Sequence, residues 1–358
     1  MRVSADHFCW FLMHSAKYEL IRTEPSPTRQ KNGVIVFKRF KSKTRSMLGI
    51  DISSTSVRIL EISTQNEKPC IEAFGCKPLI PSTVEAEGII HTDVLTSAIK
   101  TLLSEIKPAS RQVAIAVPDS MVISKIIQLV NNLNDLELEE LAIHEAKKLL
   151  TFSSEELSVD FVVLGASEVF GMLDVLLVVS KSENIDKRVK ALKSSGLEVI
   201  IVDIESHAIA RAVNHINESN SEAVIAVIDI RPWSMRLCII TGGKVVYARD
   251  EIFDADQLLI PVLKPICDLA LMHLKRNFQF FFANCHYREI DLIYVAGEGV
   301  NLNELAQFIG EGFGASTVVA NPINCIEIVS HQQRERFSQL APSFLVAFGL
   351  ALRGYHAN

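Results

Sequence analysis

The chain has 358 residues, of which 48% are hydrophobic and 22% charged, and its formal net charge is −6 at pH 7. That length exceeds what one compact core usually organises, so two lobes or several subdomains are expected. The mild acidity gives no electrostatic case for nucleic acid as a partner, and no apolar run reaches the roughly 18–20 residues of a membrane helix.

Residues 1–46 carry no sustained helical or strand period and include Pro25 and Pro27. They read as a disordered leader, or as sequence upstream of a later translation start at Val34, Val36 or Met47. Within them the basic stretch Phe37–Arg45, FKRFKSKTR, is either a peripheral anchor on anionic lipid or a solvated tail. The ordered pattern begins at Met47. Apolar Leu48–Ile52 and alternating Val57–Ile62 make a hairpin, Ile71–Leu79 continues the sheet, Val94–Ile106 has helical spacing, and Val113–Val117 is a buried-type strand. These form a first-lobe subdomain over 47–117. A small α+β module follows over 118–165, with strands at Met121–Leu129 and Leu157–Leu164 around the acidic helix Asn134–Leu150. Residues 166–215 return to the first lobe, with strand Leu173–Ser180, helix Glu183–Ser195 stopped by Gly196, strand Val199–Asp203 and helix Ser206–Ile216.

The second lobe, 216–358, repeats the opening theme. Ala223–Ile230 and Met235–Ile240 pair across a short turn, and Val245–Tyr247 follows the Gly242-Gly243 turn. A helical stretch at Gln257–Phe282 precedes strand Leu292–Val295, which runs into Ala296-Gly297-Glu298-Gly299, then helices Leu302–Ile309 and Phe344–Arg353. One strand–turn–strand unit per half, each with an Asp near the strand end, suggests duplicated lobes around a cleft. The seven scattered cysteines form no CxxC pair and read as free thiols of a reducing cytosol rather than a zinc site.

A turn between paired strands can present backbone N–H groups to a phosphate; small residues allow close approach and hydroxyls add donors. Ser53, Ser54, Thr55 and Ser56, with Arg58 beyond them, are the candidate first phosphate loop. In an actin-like fold, Asp51 and Asp229 would hold Mg²⁺ through water, because a hard cation prefers oxygen, and Gly297, Glu298 and Gly299 would lie against an adenosine. Each piece alone is more often structural. Asp160, Asp174 and Asp203, near other strand ends, read as turn caps, and Phe278–Phe282 as core.

The segments GIDISSTSVRILEI (Gly49–Ile62), VDFVVL (Val159–Leu164), Asp174–Ala212, Phe278–Ile293, Val319-Ala320-Asn321-Pro322 and Gly349–Arg353 resemble the PilM family of type IV pilus assembly proteins, from about residue 47 to the end. The resemblance implies an α/β, actin-like (ribonuclease H-like) two-lobed fold with an inserted small α+β subdomain, related to the division protein FtsA. It implies ATP and Mg²⁺ as cofactors and a cytoplasmic protein, peripheral at the inner membrane. It also implies docking of the PilN cytoplasmic tail and, through PilN and PilO, a link to the pilus assembly ATPases; a homodimer is a further partner state. The inserted module would help form the groove for an extended tail.

Three departures fall on the second lobe. Asp229-Ile230 is followed by Arg231-Pro232-Trp233-Ser234, where the family has Gly and small or hydroxylated residues. Proline offers no N–H, leaving Arg231 and Ser234 as candidate phosphate contacts. Phe253 is followed by Asp254-Ala255-Asp256, where the family has Gly-Gly, and two carboxylates repel polyphosphate. The stretch between Gln257 and Phe278 is shorter than in the family. A scaffold with weak or no ATPase activity is therefore expected. The alternatives are an ATP-dependent switch with the same partners, or a sugar-kinase-like enzyme of the same superfold, whose catalytic Asp the sequence does not place.

Overall fold

The computed structural model describes residues 34–36, 46–65, 68–85, 88–149, 156–217, 222–253 and 263–355. In chain order β1 (Val34–Val36), β2 (Ser46–Ile52), β3 (Ser56–Gln65) and β4 (Lys68–Pro78) precede a short hairpin, β5 (Val84–Glu85) and β6 (Gly88–Ile89), then α1 (Thr92–Ile106) and β7 (Gln112–Val117). The module that follows holds β8 (Val122–Val130), α2 (Asp135–Leu149), β9 (Leu157–Ala166) and β10 (Met172–Lys181), after which come α3 (Ser182–Lys193), β11 (Glu198–Ile204) and α4 (Glu205–Ile216). The second half contains β12 (Ile225–Arg231), β13 (Ser234–Thr241), β14 (Lys244–Ile252), α5 (Leu263–Ala283), β15 (Leu292–Gly297) and α6 (Leu302–Phe313). It closes with β16 (Thr317–Val319), β17 (Glu327–Ile328), α7 (His331–Leu340) and α8 (Leu345–Tyr355).

The two large sheets share one plan. The first runs β4-β3-β2-β7-β11 and the second β14-β13-β12-β15-β16. In each, the first three strands of the lobe pair antiparallel and the next two join in parallel beside the first. The terminal β17 adds in parallel to the outer edge of β4.

A single core links the lobes. It joins Met47, Leu60 and Phe74 of the first sheet to Ile225, Val227 and Tyr294 of the second through α4 and α8. Residues 345–354 of α8 are all buried, and apart from Arg353 none is charged or polar, as suits a helix enclosed by protein. It comes so close to β2 and α4 that a Cβ on Gly49 would overlap the Ala347 carbonyl, and one on Gly349 the Ala208 carbonyl.

The inserted sheet runs β1-β9-β10-β8. It reaches Lys181, beyond the expected boundary at 165, because β10 pairs with both β8 and β9. The continuous apolar run in β10 signals burial on both faces but does not say in which sheet. Val34–Val36, inside the leader that showed no regular element in the sequence, pair in parallel with Leu157–Val159 of β9. The rest of 1–45 lies outside the described residues, as do Asp254, Ala255 and Asp256. Among the described residues no helix is long and apolar enough to cross a membrane. The Phe278–Phe282 stretch is mainly core: Phe278 and Phe281 are buried, while Phe280 is exposed.

Helix α6 starts at a true cap, with the Asn301 side-chain oxygen accepting from the N–H groups of Asn303 and Glu304 at 3.2 and 3.4 Å. Asn301→Ala is expected to cost about 1 kcal/mol, read as a lower denaturant midpoint at unchanged slope.

Candidate functional site

The site lies where the opening hairpins of the two lobes face each other. In β2–β3, Asp51 sits opposite Arg58; in β12–β13, Asp229 sits opposite Arg236. The two hairpins align residue for residue, DISSTSVR against DIRPWSMR, so Arg231 takes the place of Ser53 and Pro232 that of Ser54.

Each hairpin arginine crosses the cleft. Arg58, from the first lobe, lies 3.3 Å from Asp51 and 2.6 Å from Glu298 of the second lobe. Arg236, from the second lobe, reaches Glu205 at the start of α4 and lies 3.7 Å from Asp119, just after β7, while its own lobe supplies Asp250 at 2.6 Å. Glu298 follows the fourth strand of its lobe's sheet and Asp119 the fourth strand of the other. The two crossings are therefore pseudo-symmetric products of the duplication. Ser206 ties down Asp119 through its N–H at 3.1 Å and through its hydroxyl.

The candidate phosphate residues are largely engaged with one another. Ser53 Oγ accepts from the N–H groups of Thr55 and Ser56 at 3.3 and 3.1 Å, closing the turn on itself, and the Thr55 hydroxyl donates to Glu298 at 2.9 Å. Ser54 is exposed. Ser234 pairs with Arg231 across the β12–β13 turn. Asp51 and Asp229, expected to share a hydrated metal, share a guanidinium instead: Arg231 lies 3.2 Å from Asp51 and 3.1 Å from Asp229. Gly297 and Gly299 both have positive φ, at 109° and 85°. A Cβ on Gly297 would overlap the Ile230 carbonyl, and one on Gly299 would meet the Pro232 ring at 3.3 Å. Pro232 thus lies against this loop.

Electrostatics favour this arrangement. Burial alone would lower the Arg58 pKa, but Asp51 and Glu298 more than compensate and it is raised. Burial would raise Glu298, yet the Arg58 and Thr55 contacts hold it below the ordinary glutamate value. For Arg231 burial again opposes the charge, and Asp51 and Asp229 outweigh it. Asp51 Oδ1 and Arg58 Nε are both buried without a hydrogen-bond partner; a single such oxygen does not make a metal site. A magnesium ion needs oxygen ligands free of a competing cation, and here both carboxylates already carry one. The residues present do not fit ATP with Mg²⁺.

Asp119, Glu205 and Arg236 were not singled out from the sequence, although the spacing from Asp51 to Arg58 recurs from Asp229 to Arg236. Of the three presumed turn caps, Asp203 is fully buried at the end of β11, 2.9 Å from Arg211 and 3.8 Å from Arg353. Burial would raise its pKa, but those arginines hold it below the usual aspartate value. Asp160 accepts from the N–H of Phe161 at 3.0 Å. Asp174 lies within β10 beside a bulge, buried, with neither carboxylate oxygen hydrogen-bonded.

Beside the ionic cluster lies a cavity of about 570 Å³. Its walls are β8 and β10 of the inserted sheet, α4 of the first lobe, and the β13–β14 turn of the second lobe. Val122, Ser124 and Ile126 line it from β8, which ends its sheet and, among the described residues, pairs with β10 alone. Asp119 and Ser206 belong to both the cavity and the cluster.

The family model described as type IV pilus assembly protein PilM matches residues 49–260 and 256–355. The chain belongs to this family. Among solved structures it is similar to the "PilM-PilN type IV pilus biogenesis complex", at 23% identity and a TM-score of 0.73, covering 88% of this chain and 100% of that one. It is also similar to the ethanolamine utilization protein EutJ from Carboxydothermus hydrogenoformans, at 12% identity and a TM-score of 0.50, covering 87% and 91%. These likenesses establish the actin-like, two-lobed fold that family membership and the duplicated strand order both indicate.

Proposed function

We propose that this protein is a scaffold of type IV pilus assembly that docks the cytoplasmic tail of a PilN-type membrane protein in the cavity beside β8. The observation that carries this reading is the cavity's form: β8, with no second strand partner among the described residues, contributes Val122, Ser124, Lys125 and Ile126 to one wall, and α4 and the β13–β14 turn form others. An extended segment can add to such an edge through main-chain hydrogen bonds while alternate side chains enter pockets. Membership of the PilM family and the fold shared with a PilM–PilN complex support the choice of partner. Through that tail the protein would sit at the inner membrane and connect, by way of PilO, to the pilus assembly ATPases.

The test is calorimetric titration of the full chain with the N-terminal peptide of the neighbouring PilN. Ser124 is exposed on β8 and lines the cavity, so Ser124→Trp fills the site without disturbing the core. Saturable binding to the wild type is expected, weakened roughly tenfold or more by the tryptophan, as for steric blockage of an interface centre. No binding to the wild type, or equal binding to both, would remove this reading.

A further inference from the structure

The most unusual feature of the cleft is that it holds its own cation. Arg231 replaces the small residue that the aligned first-lobe turn has at Ser53, and its guanidinium bridges the strand-end aspartates of the two lobes. Its side chain is 12% exposed and those of Asp51 and Asp229 are 1% and 5%, so the contact is enclosed rather than a surface pair. Pro232, next in the turn, removes a backbone donor and packs against Gly299. Arg58 and Thr55 close the other side on Glu298. A divalent ion bound between Asp51 and Asp229 would have to displace a largely enclosed guanidinium that already pairs with both.

The same hairpin leads to the cavity. Arg231 ends β12 and pairs with Ser234 at the start of β13, Arg236 lies within β13, and the turn beyond that strand's far end, Gly242-Gly243, is a cavity wall. A paired strand transmits a rigid displacement, so a change of angle between the lobes at Arg231 moves that wall relative to β8.

We propose that Arg231 is a built-in replacement for the metal–nucleotide of this cleft: it fastens the two lobes in the closed arrangement and holds the second-lobe wall of the cavity in place without ATP. The link to docking rests on the cavity being the tail site; the fastening does not.

The experiment compares the full-length wild type with Arg231→Gly by amide hydrogen exchange, in buffer, with Mg²⁺, and with Mg²⁺ and ATP. In the wild type, exchange at 53–56 and 242–248 is expected to be the same in all three. In Arg231→Gly both segments are expected to exchange about tenfold faster, the range of a typical coupling between sites, and Mg²⁺ alone should slow them again by pairing the freed aspartates. A wild type that responds to Mg²⁺ and ATP, or an Arg231→Gly protein that exchanges like the wild type, would overturn the proposal. Should Arg231→Gly not fold, Arg231→Lys serves. Lysine is a point charge without the planar fork, so faster exchange confined to the two segments is expected, and unchanged exchange overturns the proposal. Tail-peptide titration gives the separate arm. Binding to the wild type should be indifferent to ATP and weaker in the variant; if no protein binds peptide, the docking reading fails while the exchange data still decide the role of Arg231.

Discussion

Replacing Arg236 with Met is expected to lower the unfolding free energy by about 3–5 kcal/mol, the usual cost of removing one partner from a buried ionic cluster. Arg236 is the cation shared by Glu205, Asp250 and Asp119. Methionine matches its apolar stem but leaves three carboxylates facing one another. The loss should depend on pH. Burial already raises the Asp119 and Glu205 pKa values above the ordinary range, with Arg236 the strongest influence holding them down. A carboxyl with a raised folded pKa binds a proton in the folded state first. Its penalty is therefore absent below the unfolded pKa and grows as pH rises toward the folded one. Without Arg236 that window extends upward, so the deficit should be larger at pH 8 than at pH 5. Urea unfolding at the two values checks this; equal deficits would show that the carboxylates do not share the arginine.

Gly349→Ala is expected to be as damaging for an unrelated reason. The added Cβ would overlap the backbone carbonyl of Ala208 on α4, and a main-chain atom inside a helix cannot move aside as a side chain can. Overpacking costs up to about 3 kcal/mol where neighbours can yield, and here α4 and α8 must separate. That opens the core joining the lobes and loosens the Arg211 contacts to Asp203 and the Gly349 carbonyl, both near 3 Å. Gly196→Ala is the control. Gly196 has φ +80° with open space around its Cβ position, so only left-handed strain of about 1–2 kcal/mol is expected. Chemical denaturation of both variants, beside soluble yield, separates packing from backbone strain. A Gly349→Ala protein as stable as Gly196→Ala would mean that the helices are not held at this distance.

Much of this was legible in the chain. The alternating and apolar periods located the hairpin at Gly49–Ile62, its repeat at Ala223–Ile240 and most of the helices between, because period and capping are local properties. The short strands β16 and β17 and the polar helix α7 were missed: two or three residues carry no period, and HQQRERFSQL presents little apolar face. The module boundary was misplaced because an apolar strand records burial but not its neighbours.

The sequence by itself determined the duplicated architecture, the family, and the substitution of Arg231 and Pro232 for small residues in the second turn. These follow from residue type and order along one segment. Only the tertiary structure decided what those residues do. Arg231 bridges Asp51 and Asp229, Arg58 reaches Glu298, and Arg236 reaches Glu205 and Asp119, across separations in the chain that no local pattern encodes. A charge is stabilised by whatever lies within a few ångströms of it, and in this protein that partner is repeatedly the opposite lobe.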